Sequence, residues 1–179
     1  AIAAVEALSE TGLPHSAIRL GLATVSWPGR FEQVQQQPTV VFDGAHNLLA
    51  AKALTTALTE LWPGRPLHVL IGMSADKSIQ AVAKVVGPLA TSVTCTASRH
   101  PRALAAHEVA QQWKAHSRNV GVIPDAVDAY TYLLNTIKPT EVLVVMGSLF
   151  LVGELRAALR QSHVRPRRRV ANVLSHVSP

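Results

Sequence analysis

The sequence predicts an α/β fold, with a mainly parallel sheet and helices on both of its faces. Three observations carry this expectation. Short β-branched runs alternate with stretches that place apolar residues at helical spacing, the pattern of consecutive βαβ units. The runs around Val40, Leu67 and Val142 are almost continuously apolar, as strands buried on both faces must be. Clusters of Gly, Ser, Asp, His, Lys and Arg follow the ends of those runs, where open parallel sheets hold their ligands. Together they describe a Rossmann-like domain.

Taken in order, residues 1–9 read as the last turns of a helix, broken at Thr11-Gly12-Leu13-Pro14. Pro14 to Ala17 begins a short helix, and residues 20–27 form a connector into the Pro28-Gly29 turn. From Arg30, with Phe31 and Val34 as its apolar members, an edge strand is expected. Strands then follow at 39–42, 67–71, 91–96, 119–122 and 141–146. The helices between and after them are expected at 47–61, 76–86, 103–115, 125–137 and 149–160. The break near Trp27-Pro28 is the one credible internal boundary. Residues 1–26 therefore read as the remnant of a neighbouring domain, 27–160 as the domain itself, and 161–179 as a basic, disordered tail.

Composition narrows the function classes. The chain has 179 residues, 48% hydrophobic and 16% charged, enough for one well-buried core. Its net charge of +6 comes almost wholly from Arg160, Arg165, Arg167, Arg168 and Arg169 at one end. No aromatic residue interleaves them to stack on bases, so nucleic acid is not an expected partner. No apolar run is long enough to span a bilayer, and no membrane partner is expected. The single cysteine, Cys95, lies in an apolar β-like run and reads as a buried structural thiol, which fits a cytoplasmic protein. There is no Gly-x-x-x-x-Gly-Lys-Ser/Thr loop, no Gly-x-Gly-x-x-Gly and no Gly-x-Ser-x-Gly. His100, His107 and His116 lack zinc-ligand spacing with the cysteine, and no metal ligands are assigned.

The candidate chemistry sits at the strand ends. Asp43-Gly44-Ala45-His46-Asn47 follows the first parallel strand, and Gly72 to Lys77 follows the second. Ser98-Arg99-His100-Pro101-Arg102 follows the third, and Gly147-Ser148 follows the last. These groups should share one rim. Asp43 is suited to a ribose hydroxyl or a cation, although it or Asn47 also serves as an ordinary helix cap. Arg30 on its Pro-Gly turn offers a fork of donors suited to phosphate. The second Trp-Pro-Gly-Arg, Trp62 to Arg65, falls at the opposite end of the sheet and reads as a turn only.

Four blocks in order resemble the C-terminal domain of folylpolyglutamate synthase/dihydrofolate synthase, a branch of the Mur ligase superfamily. They are Trp27-Pro28-Gly29-Arg30-Phe31-Glu32, Val40 to Asn47, Gly72-Met73 with Asp76-Lys77, and Gly147 to Glu154. The resemblance implies an ATP- and magnesium-dependent ligase that joins L-glutamate to folate or dihydropteroate through an acyl phosphate. It implies that Arg30 contacts ATP phosphate and that Asp43 holds the nucleotide near its ribose. His46 and Ser148 would stand beside the acyl phosphate as catalytic residues. Gly44, Ala45, Asn47, Asp76 and Lys77 would line the substrate region. The phosphate loop and magnesium ligands would belong to a central domain outside this chain, leaving the chain inactive alone. Two other readings stay open: a different Mur-type amide ligase, of cell-wall or cyanophycin type, and a non-catalytic nucleotide-binding module.

Overall fold

A computed structural model of the chain describes residues 14–161. The expected helix at 1–9 and nearly all of the expected tail lie outside the described residues. Helix α1 (His15–Thr24) is followed by β1 (Glu32–Gln36), β2 (Thr39–Phe42), α2 (Leu48–Leu61), β3 (Leu67–Ile71) and α3 (Ile79–Val86). A 3₁₀ turn (Gly87–Leu89) leads into β4 (Ala90–Ala97), α4 (Ala106–Trp113), β5 (Val120–Asp125), α5 (Ala126–Thr136), β6 (Val142–Met146) and α6 (Leu149–Arg160).

The six strands form one sheet in the order β1-β2-β6-β3-β4-β5. Only β1 is antiparallel; the other pairings are parallel. All residues of β2 and β6 are buried. Alternation along each strand splits the core in two. Val41, Val69, Ile71, Val144 and Met146 pack against α2, α3 and α4. Val40, Phe42, Leu70, Leu143 and Val145 pack against α5 and α6. Steps from β2 to β3, β4 and β5 all run one way across the sheet, so crossovers of one hand keep α2, α3 and α4 on one face. The return from β5 to β6 reverses direction and carries α5 to the other face. Cys95 is buried in the first core, and burial pushes its thiol up to about 12.

Three expectations need correction. Residues 20–24 are helical, so the expected connector is shorter and α1 longer. None of its residues is buried, so no core periodicity marked it. Helices α3 and α4 begin at Ile79 and Ala106, three residues later than expected. The preceding loops spend their backbone groups on each other instead: Leu104 N–H donates to Met73 O at 2.9 Å, Ala75 N–H to Arg102 O at 3.3 Å, and Ser74 bridges Ala103. Strand β5 runs three residues further than expected, through Pro124. An edge strand tolerates a proline because its outer N–H side has no partner.

Trp62 to Arg65 is a turn, with Gly64 at φ +71°. Its arginine also fastens the sheet. Arg65 donates from Nη2 to Glu141 O at 2.9 Å, from Nη1 to Thr39 Oγ1 at 3.1 Å, and from Nε to Thr140 O. It thereby ties the starts of β2 and β6 together. Arg65→Ala should destabilise the domain by roughly 1–3 kcal/mol and lower Tm by several degrees in a thermal melt; an unchanged Tm would count against this role.

Candidate functional site

The helices after β2 and β6 leave to opposite faces of the sheet, although those strands are neighbours. This is a topological switch point, where the loops part and leave a crevice at the carboxyl ends. The crevice is a cleft of about 300 Å³. His46 enters it from the loop after β2, and Gly147, Ser148 and Phe150 from the end of β6 and the start of α6. Ser74, Asp76 and Lys77 come from the loop after β3, and Arg102 from the loop after β4. All four expected strand ends therefore meet on one rim. Larger hollows, such as one of about 580 Å³ beside His116 and Arg118, exist elsewhere, but loops from four strands do not converge on them.

Two helices begin at this crevice. Asn47 caps α2 by accepting from Ala50 N–H at 2.9 Å, and Ser148 caps α6 by accepting from Phe150 N–H at 3.1 Å. Both positive helix ends are thus near the cleft, which favours anionic ligands. Ser148 is buried and lines the cleft, whereas Asn47 is exposed and does not. His46 Nδ1 lies 2.7 Å from Gly44 O. A carbonyl only accepts, so Nδ1 carries the hydrogen and Nε2 remains the acceptor of the neutral ring. Asp76 and Lys77 form an ion pair at 2.7 Å, and the Lys77 ammonium holds the Asp76 carboxyl below its ordinary range.

Arg30 and Asp43 stand beside the cleft and not in its lining. Asp43 accepts from Phe31 N–H and from Ala45 N–H, each at 2.7 Å, one on each oxygen. It braces the turn that presents Arg30, and each oxygen keeps a further lone pair. Gly29 sits at φ +72° and Phe31 at φ +44° within that turn. Gly44 N–H donates to Gly29 O at 2.9 Å. A Cβ on Gly44 would come within 2.4 Å of Leu149, which explains the glycine by close approach and not by φ. Ala45 is fully buried behind the cleft, where its carbonyl accepts from Gly147 N–H at 2.9 Å. Glu32 completes the turn, accepting from Gly29 N–H at 2.8 Å and pairing with Arg156 of α6.

Arg102 and Phe150 are site residues that the motif reading left without a role. Arg102 follows a strand end, a signal that was available. Phe150 sits in an apolar stretch that reads as core, yet it is 43% exposed and stacks on His100 at 3.6 Å. Among the described residues no group of three His, Cys, Asp or Glu side chains is placed to hold a metal. Among the described residues Asp76 is the only carboxylate lining the cleft, and Lys77 already pairs with it, so these residues do not form a magnesium site by themselves.

The fold is an α/β domain whose switch-point cleft is flanked by two helix starts and lined by Lys77 and Arg102. The comparisons make this specific. Residues 29–149 match the family described as "Mur ligase, glutamate ligase domain", and the chain belongs to that family. It is 33% identical over 155 residues to the folylpolyglutamate synthase of Lacticaseibacillus casei, covering 84% of this chain and 34% of that protein. It is 26% identical over 162 residues to the dihydrofolate synthase/folylpolyglutamate synthase of Bacillus subtilis, covering 89% and 37%. The chain thus spans about a third of the length of these relatives. Among solved structures it resembles E. coli FolC in complex with DHPP and ADP, with a TM-score of 0.78 at 25% identity over 86% of this chain and 36% of that one. It also resembles a bifunctional folylpolyglutamate synthase/dihydrofolate synthase with Mn, AMPPNP and L-glutamate bound, with a TM-score of 0.76 at 30% identity, covering 88% and 38%.

Glu32 yields a pH prediction. Burial raises its carboxyl, but Arg156 and Gly29 N–H outweigh that and hold it below its ordinary value of 4.5. A depressed carboxylate stabilises the fold above its unfolded pKa, and that contribution is lost as pH falls through the folded pKa. Glu32→Gln should therefore cost roughly 1–3 kcal/mol at neutral pH. The gap to the parent chain should close on acidification below 4.5 in denaturant titrations. A gap that stays constant down to acid pH would contradict it.

Proposed function

We propose that this chain is the C-terminal domain of an ATP-dependent ligase that adds L-glutamate to folate or dihydropteroate through an acyl phosphate. The observation that carries the reading is the meeting of His46, Ser148 and Lys77 in one switch-point cleft of a Mur ligase glutamate ligase domain. The names of its relatives and the nucleotide, metal and glutamate in its structural neighbours support it.

In such a reaction the substrate carboxylate first takes a phosphoryl group from ATP. The amine then attacks the acyl carbon, its proton leaves, and phosphate departs. Arg30, exposed on its braced turn, serves as a phosphate contact, and Asp43 as a nucleotide contact through its remaining lone pairs. His46 Nε2, left basic by the bond at Nδ1, takes the proton of the attacking amine. The helix ends at Asn47 and Ser148 offset the negative charge of the acyl phosphate. Gly44 and Ala45 shape this loop, and Asp76 and Lys77 lie on the amino-acid side. Magnesium would be held by residues outside this chain and would supply positive charge to the phosphate oxygens.

Apolar side chains stand exposed on the segments that carry Arg30, His46 and Ser148. Trp27 is 69% exposed and Leu49 80%, and Leu48 and Leu149 are half-exposed. A rim of this kind suits a covering domain that supplies the phosphate loop. Residues 1–26 are read as a remnant of that domain with its linker, 27–160 as the domain proper and 161–179 as a basic tail. The setting is cytoplasmic.

The purified chain alone should show no folate- and glutamate-dependent ATP turnover in a coupled assay, while the longer ligase that contains it should. His46→Ala in that ligase should lower kcat by about 10²- to 10⁴-fold. Turnover by the isolated chain, or an active His46→Ala enzyme, would refute these roles. Preference for a muramoyl peptide over dihydropteroate would move the protein to another branch of the family.

A further inference from the structure

We propose that Ser92, His68 and Glu141 form a second site, separate from the ligase cleft, that hydrolyses small esters through an acyl-serine. His68 and Ser92 lie toward the amino ends of β3 and β4, and Glu141 immediately precedes β6. The cleft lies at the carboxyl ends of the same strands.

What each atom can donate or accept fixes the relay. His68 Nε2 lies 3.2 Å from Glu141 Oε2, and His68 Nδ1 lies 2.7 Å from Ser92 Oγ. A carboxylate only accepts, so in the neutral ring Nε2 carries the hydrogen and Nδ1 is the acceptor. The Ser92 hydroxyl therefore donates to Nδ1, which sets a basic nitrogen on the proton that a nucleophilic oxygen must lose. Glu141 is itself held in place. Its Oε2 accepts from Lys138 N–H at 2.8 Å, the bond that chiefly keeps its carboxyl below the ordinary range and so ionised. Its backbone carbonyl accepts from Arg65 and from Thr39 N–H. The side chains of His68 and Glu141 are each only 13% exposed, which limits competition from water for their bond.

Room for a substrate lies beside this relay. His68, Ser92 and Asn119 line a hollow of about 450 Å³ between β4, β5 and α5. Val122, Leu133 and Ile137 form its apolar wall, which suits a short acyl group. Asn119 neighbours Ser92 across the sheet, because Val93 pairs with Val120 and Val93 N–H donates to Asn119 O at 2.8 Å. Its side-chain amide supplies a donor for the oxyanion that develops beside the nucleophile. Ser92 Oγ bonds to the acyl carbon of the ester as its proton passes to His68 Nδ1. The bond from that carbon to the leaving oxygen breaks, and the leaving oxygen takes the proton. Water then attacks the acyl-serine and gives a proton to His68. Ser92 Oγ departs with that proton, and a carboxylic acid is released.

The test offers p-nitrophenyl acetate to the full-length protein carrying this domain and follows release of p-nitrophenolate. Ser92→Ala and His68→Ala should each lower kcat/KM by about 10²- to 10⁴-fold. A fluorophosphonate probe should add its mass to the peptide holding Ser92 in the parent protein, a readout that depends on no variant folding. A Ser92 peptide left unlabelled, or hydrolysis that survives Ser92→Ala, would overturn the proposal. Hydrolysis lost in His68→Ala but kept in Ser92→Ala would make the imidazole itself the nucleophile and overturn the role of Ser92. None of these readouts involves ATP or glutamate, so the ligase reading stands or falls separately.

Discussion

The candidate site hangs on one carboxylate. Asp43 sits at the end of a fully buried strand and accepts backbone hydrogen bonds from two different segments. One oxygen holds Phe31 and the other holds Ala45, so the turn bearing Arg30 and the loop bearing His46 share a single fixed point. Charge-assisted bonds of this length are worth roughly 1.5–3 kcal/mol each. That is enough to hold Phe31 at a positive φ that a bulky residue otherwise avoids. Besides this brace, Glu32, the Gly44 N–H bond to Gly29 O and the packing of Gly29 orient the arginine turn.

Around that point, close approach does the rest. Gly29 lies against Val152 and Gly44 against Leu149, with spacings that a Cβ would violate. Gly147, at φ +95°, passes so near Gly72 that a Cβ would come within 2.6 Å of its carbonyl oxygen. These contacts seat helix α6 against the loops after β2 and β3. Because α6 starts at the cleft with Ser148, its seating also sets where its positive end points. The same helix reaches the loop after β4: Glu154 accepts from Arg99 N–H at 2.8 Å, and Phe150 stacks on His100. One helix thus fastens three of the loops that form the rim.

The two loops furthest from Asp43 are organised differently. Those after β3 and β4 bond to each other through Met73 with Leu104 and Ala75 with Arg102. Their helices therefore begin late, and the residues released from helix become cleft lining. Asp76, Lys77 and Arg102 reach the rim because of this backbone exchange.

Much of this was legible in the sequence. Strand alternation, doubly buried runs and the order of elements are local or near-local properties, and each follows from side-chain periodicity and burial. The placement of His46 and Ser148 on a common rim also followed, because parallel strands put all their carboxyl ends on one side. What the sequence alone could not supply was every feature that depends on a distant partner. Helix α1 buries nothing, so no periodic signal marked its length. The late starts of α3 and α4 depend on loops pairing across about thirty residues of chain. Arg65 looked like a mere turn because its acceptors, Thr39 and Glu141, are remote in sequence. Asp43 looked like a ligand contact or a cap, and only the fold brought Phe31 to it. By itself the sequence determined the class of fold and the edge of the sheet on which chemistry gathers. The tertiary structure decided which polar groups are already engaged and which remain for a ligand, because that depends on which donors and acceptors the packed chain brings within reach.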